Sequence, residues 1–334
     1  MSSCTGLTSV DLTPLAGWVN VTSASSLLYG CSGLTSVDLT PLAGWVNVTD
    51  ASSLLYGCRR LISVDLTPLA GWVNVTSASS LLSSCTGLTS VDLTPLAGWV
   101  NVTNASNFLY QCSGLNSIDL SPLRDWKNVT NISYFFYSTY LTTIDLKPLS
   151  KWTKVTNASN FLWNSYLLKR IDLAPLAGWV NVTNAERLLS GCSGLSEVDL
   201  TPLSGWVNVT NSTYLLSGCS GLTTVDLTPL TSWVKVTDCN SLLYSCSKLT
   251  SVDLTPLASW VNVTSNFYLI SSCPGLFFVS VLSSTPFTLS SGALTNGNNC
   301  PIYVPDDAVD TYKTATNWSA YASRIKPISE KTES

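Results

Sequence analysis

The chain has 334 residues, a net charge of −4 and no histidine, with 45% apolar and only 11% charged residues. That acidic balance argues against a nucleic-acid partner, and the lack of histidine excludes Ser-His-Asp and Cys-His nucleophiles and any histidine metal site. No run approaches the roughly 18 uninterrupted apolar residues of a membrane span, and the opening MSSCTGLTSVDL shows neither a basic nor an apolar signal region.

The chain enters a repeating pattern at once. Residues 34–60, LTSVDLTPLAGWVNVTDASSLLYGCRR, form one unit of it. The aspartates of the VDL-type cores fall at Asp11, Asp38, Asp65, Asp92, Asp119, Asp145, Asp172, Asp199, Asp226 and Asp253, eight intervals of 27 residues and one of 26. A fixed period in this range marks a solenoid, in which each unit buries its apolar face only by stacking on neighbours. Leu34, Val37, Leu39 and Leu42 give an L-x-x-L-x-L-x-x-L spacing. The alternation around Val37 and Leu39 predicts a strand with Ser36, Asp38 and Thr40 outward, ended by Pro41. Trp45-Val46-Asn47-Val48 predicts a second extended stretch. Ala51, Leu54, Leu55 and Cys58 then switch to i, i+3, i+4, i+7, which predicts a short helix capped at Thr49 or Asp50 and closed near Gly57. The expected fold is an α/β solenoid: a leucine-rich-repeat-like, right-handed stack of about ten 27-residue coils over residues 1–276, with a parallel β-sheet on one face, short helices on the other, and a C-terminal cap over residues 277–334.

The strand, the NVT-type turn, the short helix and a Cys three residues before the next Leu resemble the bacterial surface leucine-rich repeats of the BspA type, in their DUF285-like variety. The resemblance covers residues 1–276 and implies a surface protein that recognises other molecules. The segment PLAGWVNVT departs from the shorter, more polar turn of that family.

Repeats one to four are near copies. From Asn116 to about Arg187 the copies diverge, and the one-residue deletion falls near Thr139. Basic and aromatic residues gather there: Arg124, Lys127, Tyr134, Tyr137, Tyr140, Lys147, Trp163, Tyr166, Lys169 and Arg170 are the candidate binding residues. Lys147 and Arg170 are expected on the exposed sheet face. By contrast, the first 115 residues carry only Arg59 and Arg60 as cations. After Ser272 the pattern decays. Phe277 to Val281 predicts an eleventh strand, Ser283 to Asn299 a loop, Ile302 to Val304 another strand, and a helix runs from Asp306 or Asp307 to about Lys313. A further helical segment is expected near Trp318 to Ile325. This ending resembles the terminal segment of Bacteroidales surface and phage-borne repeat proteins. Tyr303, Val309, Tyr312, Trp318, Tyr321 and Ile325 are the residues expected to cover the last coil. Unless residues 1–7 fold back over it, the first coil is expected to pair end to end or with a partner chain, or to be covered by a segment upstream of this sequence.

Three columns carry the chemistry. Aspartates about 5 Å apart repel by about 0.8 kcal/mol in water and about 3 kcal/mol at an effective dielectric of 20. Either Ser and Thr hydrogen bonds and hydration offset this, or the row Asp11, Asp38, Asp65, Asp92, Asp119, Asp145, Asp172, Asp199, Asp226 and Asp253 binds Ca²⁺ or a basic ligand. Nine of the eleven cysteines share one repeat position and read as space-filling thiols, with occasional bridges the alternative and Cys273–Cys300 the first pairing to test. Ten tryptophans share another position and read either as stacked packing or as exposed carbohydrate-binding rings. The function expected is non-enzymatic: recognition or adhesion toward protein or carbohydrate outside a cell or on a phage particle, with a stalk or filament assembled end to end as the alternative. No cofactor other than Ca²⁺ is expected.

Overall fold

The structure is a computed structural model that describes residues 3–295 and 299–332. It divides into two compact units, Met1–Leu167 and Leu168–Ser334. Each is a leucine-rich-repeat-like solenoid of stacked coils.

In the first unit the stack is read from its bridges. Ser23, Asp50, Ser77, Asn104, Asn131 and Asn157 pair in succession, all parallel. In the second unit Asn184, Asn211, Asp238 and Ser265 do the same. Each coil turns at a 3-10 turn with Pro-Leu at its second and third positions, such as Thr40–Leu42, with Ser121, Lys147 or Ala174 replacing the Thr in three coils. Proline suits the start of this turn because its missing N–H would find no partner there.

The helices expected on the second face do not form. In residues 51–58 the inward residues are those anticipated, with Ala51, Leu54, Leu55 and Cys58 fully buried. Their backbone, however, alternates between two bonding patterns. Ala51, Ser53, Leu55 and Gly57 donate their N–H groups to Ser77, Ser79, Leu81 and Ser83 of the next coil at 2.8–3.1 Å, while Leu54, Tyr56 and Cys58 close tight turns onto Ala51, Ser53 and Leu55. Ser53 and Gly57 take left-handed φ of 56° and 71°. The reason is spatial. An α-helix is about 10 Å wide, twice the ~4.8 Å step between hydrogen-bonded strands. Coils bonded rung to rung leave no room for it. Among the described residues the one α-helix is α1, Val309–Thr314, in the second unit.

The VDL segments also shorten. Leu39 already sits at φ −92°, ψ −1°, so the extended run is cut two residues after Val37 and continuous ladders appear only at the C-terminal end. There β1 (Ser251–Asp253), β2 (Phe278–Ser280), β3 (Ile302–Val304) and β4 (Ile325–Pro327) form a parallel sheet in chain order. Its register stacks Val252, Val279, Ile302 and Ile325, all buried. The second helical segment expected at Trp318 to Ile325 is instead a 3-10 turn, Ser319–Tyr321, leading into β4.

The C-terminal segment is tied together internally by polar contacts. Tyr312 Oη donates to Ser283 O at 2.9 Å, Trp318 Nε1 to Phe287 O at 2.9 Å, and the buried Arg324 guanidinium to Cys300 O and Leu294 O at 2.9 and 2.8 Å. Tyr312, Trp318, Tyr321 and Ile325 are buried as expected, and Tyr303 and Val309 half-buried. At the other end Trp18 is 58% exposed. Met1 and Ser2 of the anticipated fold-back, and residues 296–298 of the anticipated loop, lie outside the described residues.

Trp45 to Trp260 in the tryptophan column are 0–3% exposed. In the first unit Trp45, Trp72, Trp99, Trp126 and Trp152 stack at 6.2–6.3 Å between ring centroids and within 10° of parallel. The separation exceeds the coil step, so the rings are offset, the arrangement that aromatic quadrupoles favour. Each indole Nε1 also donates to the leucine carbonyl of the preceding coil's turn: Trp72 to Leu42 O at 3.2 Å, Trp99 to Leu69 O at 3.1 Å. These rings are unavailable to a carbohydrate. Replacing Trp99 by Ala is expected to cost about 3–5 kcal/mol, and by Phe about 1–2 kcal/mol, because Leu69 O keeps the Trp72 N–H as a donor. Guanidinium unfolding midpoints of the two variants check this order.

Candidate binding surfaces

The aspartate row is first a structural device. In every repeat the carboxylate accepts the backbone N–H two residues on and so fixes the start of the 3-10 turn. Asp38 Oδ1 takes Thr40 N–H at 2.8 Å, Asp119 that of Ser121 at 2.8 Å, and Asp145 that of Lys147 at 2.9 Å. Side-chain short polar groups capture nearby N–H groups readily in this geometry. The Thr hydroxyl, then its N–H, hold Asp11, Asp38, Asp65, Asp92 and Asp199 below the usual carboxylate value, and the Ser121 N–H and hydroxyl do so for Asp119. Repulsion from Asp38 and Asp92 opposes this at Asp65 but is the smaller effect. Among the described residues no group of three His, Cys, Asp or Glu side chains is arranged to hold a metal ion.

The cysteine column is buried from Cys31 onward, while Cys4 in the first coil is exposed. Cys58, Cys85, Cys112, Cys219, Cys246 and Cys273 each point Sγ at the leucine carbonyl 30 residues earlier, at 3.0–3.4 Å. Ser165, which occupies this position in its coil, donates Oγ to Phe136 O at 3.3 Å. The column therefore calls for a small donor, which both residue types supply. Burial pushes the Cys58 and Cys112 thiols up to about 12 and leaves them poor nucleophiles.

The predicted site residues separate into several surfaces. Arg124, Lys127 and Lys147 lie on exposed turns of the first unit. Arg124 and Lys127 pair with Asp125 at 3.8 and 3.0 Å, and Arg124 and Lys147 flank a shallow depression of about 300 Å³ with Lys151 and Asp145. Tyr134, Tyr137 and Trp163 pack together with Tyr110, with ring centroids 4.5–6.1 Å apart, and are half-buried. Lys169 and Arg170 belong to the second unit, where Arg170 borders a hollow of about 430 Å³ with Asp172, Glu197 and Asp199.

Tyr140 and Tyr166 take a different place. They are 42% and 39% exposed, 5.3 Å apart, and line a groove of about 430 Å³ in the first unit with Arg59, Ser84, Thr86, Gln111, Ser113, Ser138 and Asn164. It crosses five coils, about 19 Å at ~4.8 Å per step. In the ordinary coil Ser113 and Gly114 form a turn between Cys112 and Leu115. In the shortened coil Tyr140 alone spans Thr139 to Leu141, and Tyr166 takes the position of Ser113 in the next coil. A hydrogen bond to Tyr140 pushes the Tyr166 phenol up.

Arg59, Gln111, Asn164 and the groove's Ser and Thr residues were not among the sequence candidates. Their signal is positional: Ser84, Gln111, Ser138 and Asn164 occupy one repeat position, all with left-handed φ of 50–59°. A second groove, of about 940 Å³, follows the Asn and Thr columns from Asn20 and Thr22 to Asn128 and Thr130 and ends at Lys154. Its amides are engaged by the stack, Asn74 Nδ2 donating to Val46 O and Asn101 Nδ2 to Val73 O at 3.1 and 3.0 Å. Lys154 Nζ closes the row on Asn128 Oδ1 at 2.7 Å.

No family model and no curated protein matches the chain. Several solved structures are similar to it. An internalin, InlF, from Listeria monocytogenes is 14% identical over 90% of this chain and 87% of that one, with a TM-score of 0.41. The functional domain of InlJ from Listeria monocytogenes, described as including a cysteine ladder, is 19% identical over 90% of this chain and 64% of that one, at 0.43. A leucine-rich repeat protein from Bacteroides ovatus is 17% identical over 77% of this chain and 67% of that one, also at 0.43. These are bacterial leucine-rich-repeat proteins. The narrower BspA-type likeness rests on the repeat residues alone. Among the described residues no helix is long and apolar enough to cross a membrane.

Two outcomes follow. The aspartates with lowered folded values stabilise the fold above their unfolded value near 3.9, and this stabilisation is lost as pH falls through the lower folded values. Melting temperature should therefore drop steeply below pH 4, and D38N, D65N and D92N together should flatten that limb, since an amide oxygen still accepts the turn N–H without titrating. The thiols of Cys58, Cys85 and Cys112 should resist a thiol-specific disulfide reagent at pH 8 in the native protein and react once it is unfolded in guanidinium.

Proposed function

We propose that this chain is a recognition solenoid that binds a glycan at a cell or particle surface, and that the groove from Arg59 to Tyr166 receives it. The observation that carries this reading is the groove's composition. Two exposed, coupled tyrosines stand in line with amides and hydroxyls from successive coils, and one cation, Arg59, lies at the far end. Aromatic faces with neutral hydrogen-bonding groups suit sugar rings, whose faces are C–H rich and whose rims are hydroxylated. A chain without histidine, whose core thiols are buried and held protonated, also supports a binding role over a catalytic one.

A glycan array probed with the full chain tests this, followed by titration of the hits. The Y140A/Y166A variant is expected to lose about tenfold or more in affinity, the scale of one or two stacked aromatic contacts, with an unchanged circular dichroism spectrum. Loss in a K147A/R170A variant but not in Y140A/Y166A would move the ligand to the cationic turns.

A further inference from the structure

The second unit holds an aromatic slot that the groove above does not involve. Arg187, Tyr214, Ser241 and Tyr268 occupy one repeat position on four successive coils, with φ of 50°, 58°, 56° and 55°. Their N–H groups make equivalent rungs: Arg187 to Thr213 O, Tyr214 to Asn240 O and Ser241 to Phe267 O, at 2.8–2.9 Å. Side chains here thus leave the backbone from equivalent points one step apart. When adjacent rungs both carry rings they stack, as Tyr29 and Tyr56 of the first unit do at a neighbouring repeat position, 4.5 Å apart and 4° from parallel.

At Ser241 the ring is missing. Tyr214 and Tyr268 stand two steps apart, about 10 Å at ~4.8 Å per step, which leaves the thickness of one ring with stacking distance on both sides. The resulting cavity has a volume of about 480 Å³ and is lined by Tyr214, Ser241, Tyr244 and Tyr268. Ser241, 3% exposed, is its floor, and Tyr268, 55% exposed, is its open wall. The Arg187 guanidinium lies 4.3 Å from the Tyr214 ring. Coming from the preceding rung, it holds the tyrosine from the side away from the slot. A bulky residue at left-handed φ is strained, and this position carries one on each side of the serine.

We propose that this slot binds one neutral pyranose ring at the end or along the length of a glycan, as a second site separate from the groove of the first unit. The lining carries no charge, so the ligand is neither anionic nor cationic. What it offers is two ring faces for the C–H faces of a sugar and phenol hydroxyls for its rim.

Affinity electrophoresis of the full chain through native gels containing laminarin, hydroxyethyl cellulose, galactomannan or yeast mannan tests this. S241Y should complete the ring stack and fill the slot, and Y268A should remove one wall. Both are expected to weaken retardation by at least one polysaccharide about tenfold, with unchanged circular dichroism. Y140A/Y166A should leave this component in place. The proposal is overturned if no polysaccharide retards the chain, or if S241Y and Y268A are retarded as strongly as the unaltered chain. It also falls if Y140A/Y166A alone abolishes retardation, which would keep the first-unit groove and discard the slot, or if a tryptophan-rich peptide binds in an S241Y-sensitive manner and the polysaccharides do not.

Discussion

The structure depends on a repeated exchange across the step between coils. Side chains of one coil donate to carbonyl oxygens of the coil before it. Leu42 O takes the N–H of its own Trp45 and the indole of Trp72. Leu28 O takes the N–H of Cys31 and the thiol of Cys58. Thr49 sends both its N–H and its hydroxyl to Thr22 O. A carbonyl has two lone pairs, and the solenoid uses the second one to join its coils. The backbone N–H groups of Ala51, Ser53, Leu55 and Gly57 run the opposite way, to the following coil. Each such bond contributes only about 0.5–1.5 kcal/mol net, but every coil repeats the set, and the buried indoles add roughly 150–250 Å² of shielded surface each. The repetition in the sequence is a repetition of these partners.

Much of this was legible from residues. The aspartate register set the coil period, and Pro41 marked the end of the extended run. The inward residues of residues 51–58 were identified correctly even though their backbone was not. The helical spacing of Ala51, Leu54, Leu55 and Cys58 arises equally from a string of turns with two left-handed residues, because both place residues 0, 3, 4 and 7 on one side. Only the competition for space distinguishes them: a helix needs about 10 Å and the coil step provides about half. A single repeat read in isolation does not contain that constraint.

The binding surfaces were harder to see for a related reason. Tyr140, Gln111 and Arg59 lie far apart in the chain and touch one groove only because the stack superimposes repeat positions. The local enrichment of cations and aromatics near residues 124–170 included Tyr140 and Tyr166, which line this groove. It also gathered residues that the structure distributes among the exposed turns, a half-buried ring cluster and a different unit. What discriminates is column membership, compared coil by coil.

The columns also show where this fold has latitude. Aspartate, tryptophan and cysteine or serine positions are tied to a backbone partner on their own or the adjacent coil, so the side chain is specified by geometry. The left-handed positions of the turn face are tied to the next coil through their N–H groups, and no one side chain is specified there. They carry Ser53, Asn107, Tyr134, Arg187 and Tyr214 at one position and Ser84, Gln111 and Asn164 at another. A coil can exchange these residues without disturbing its contact with the next. Variation there alters what the surface presents while the framework stays fixed, and both proposed sugar-binding features, the groove of the first unit and the tyrosine slot of the second, are built from these positions and their immediate neighbours.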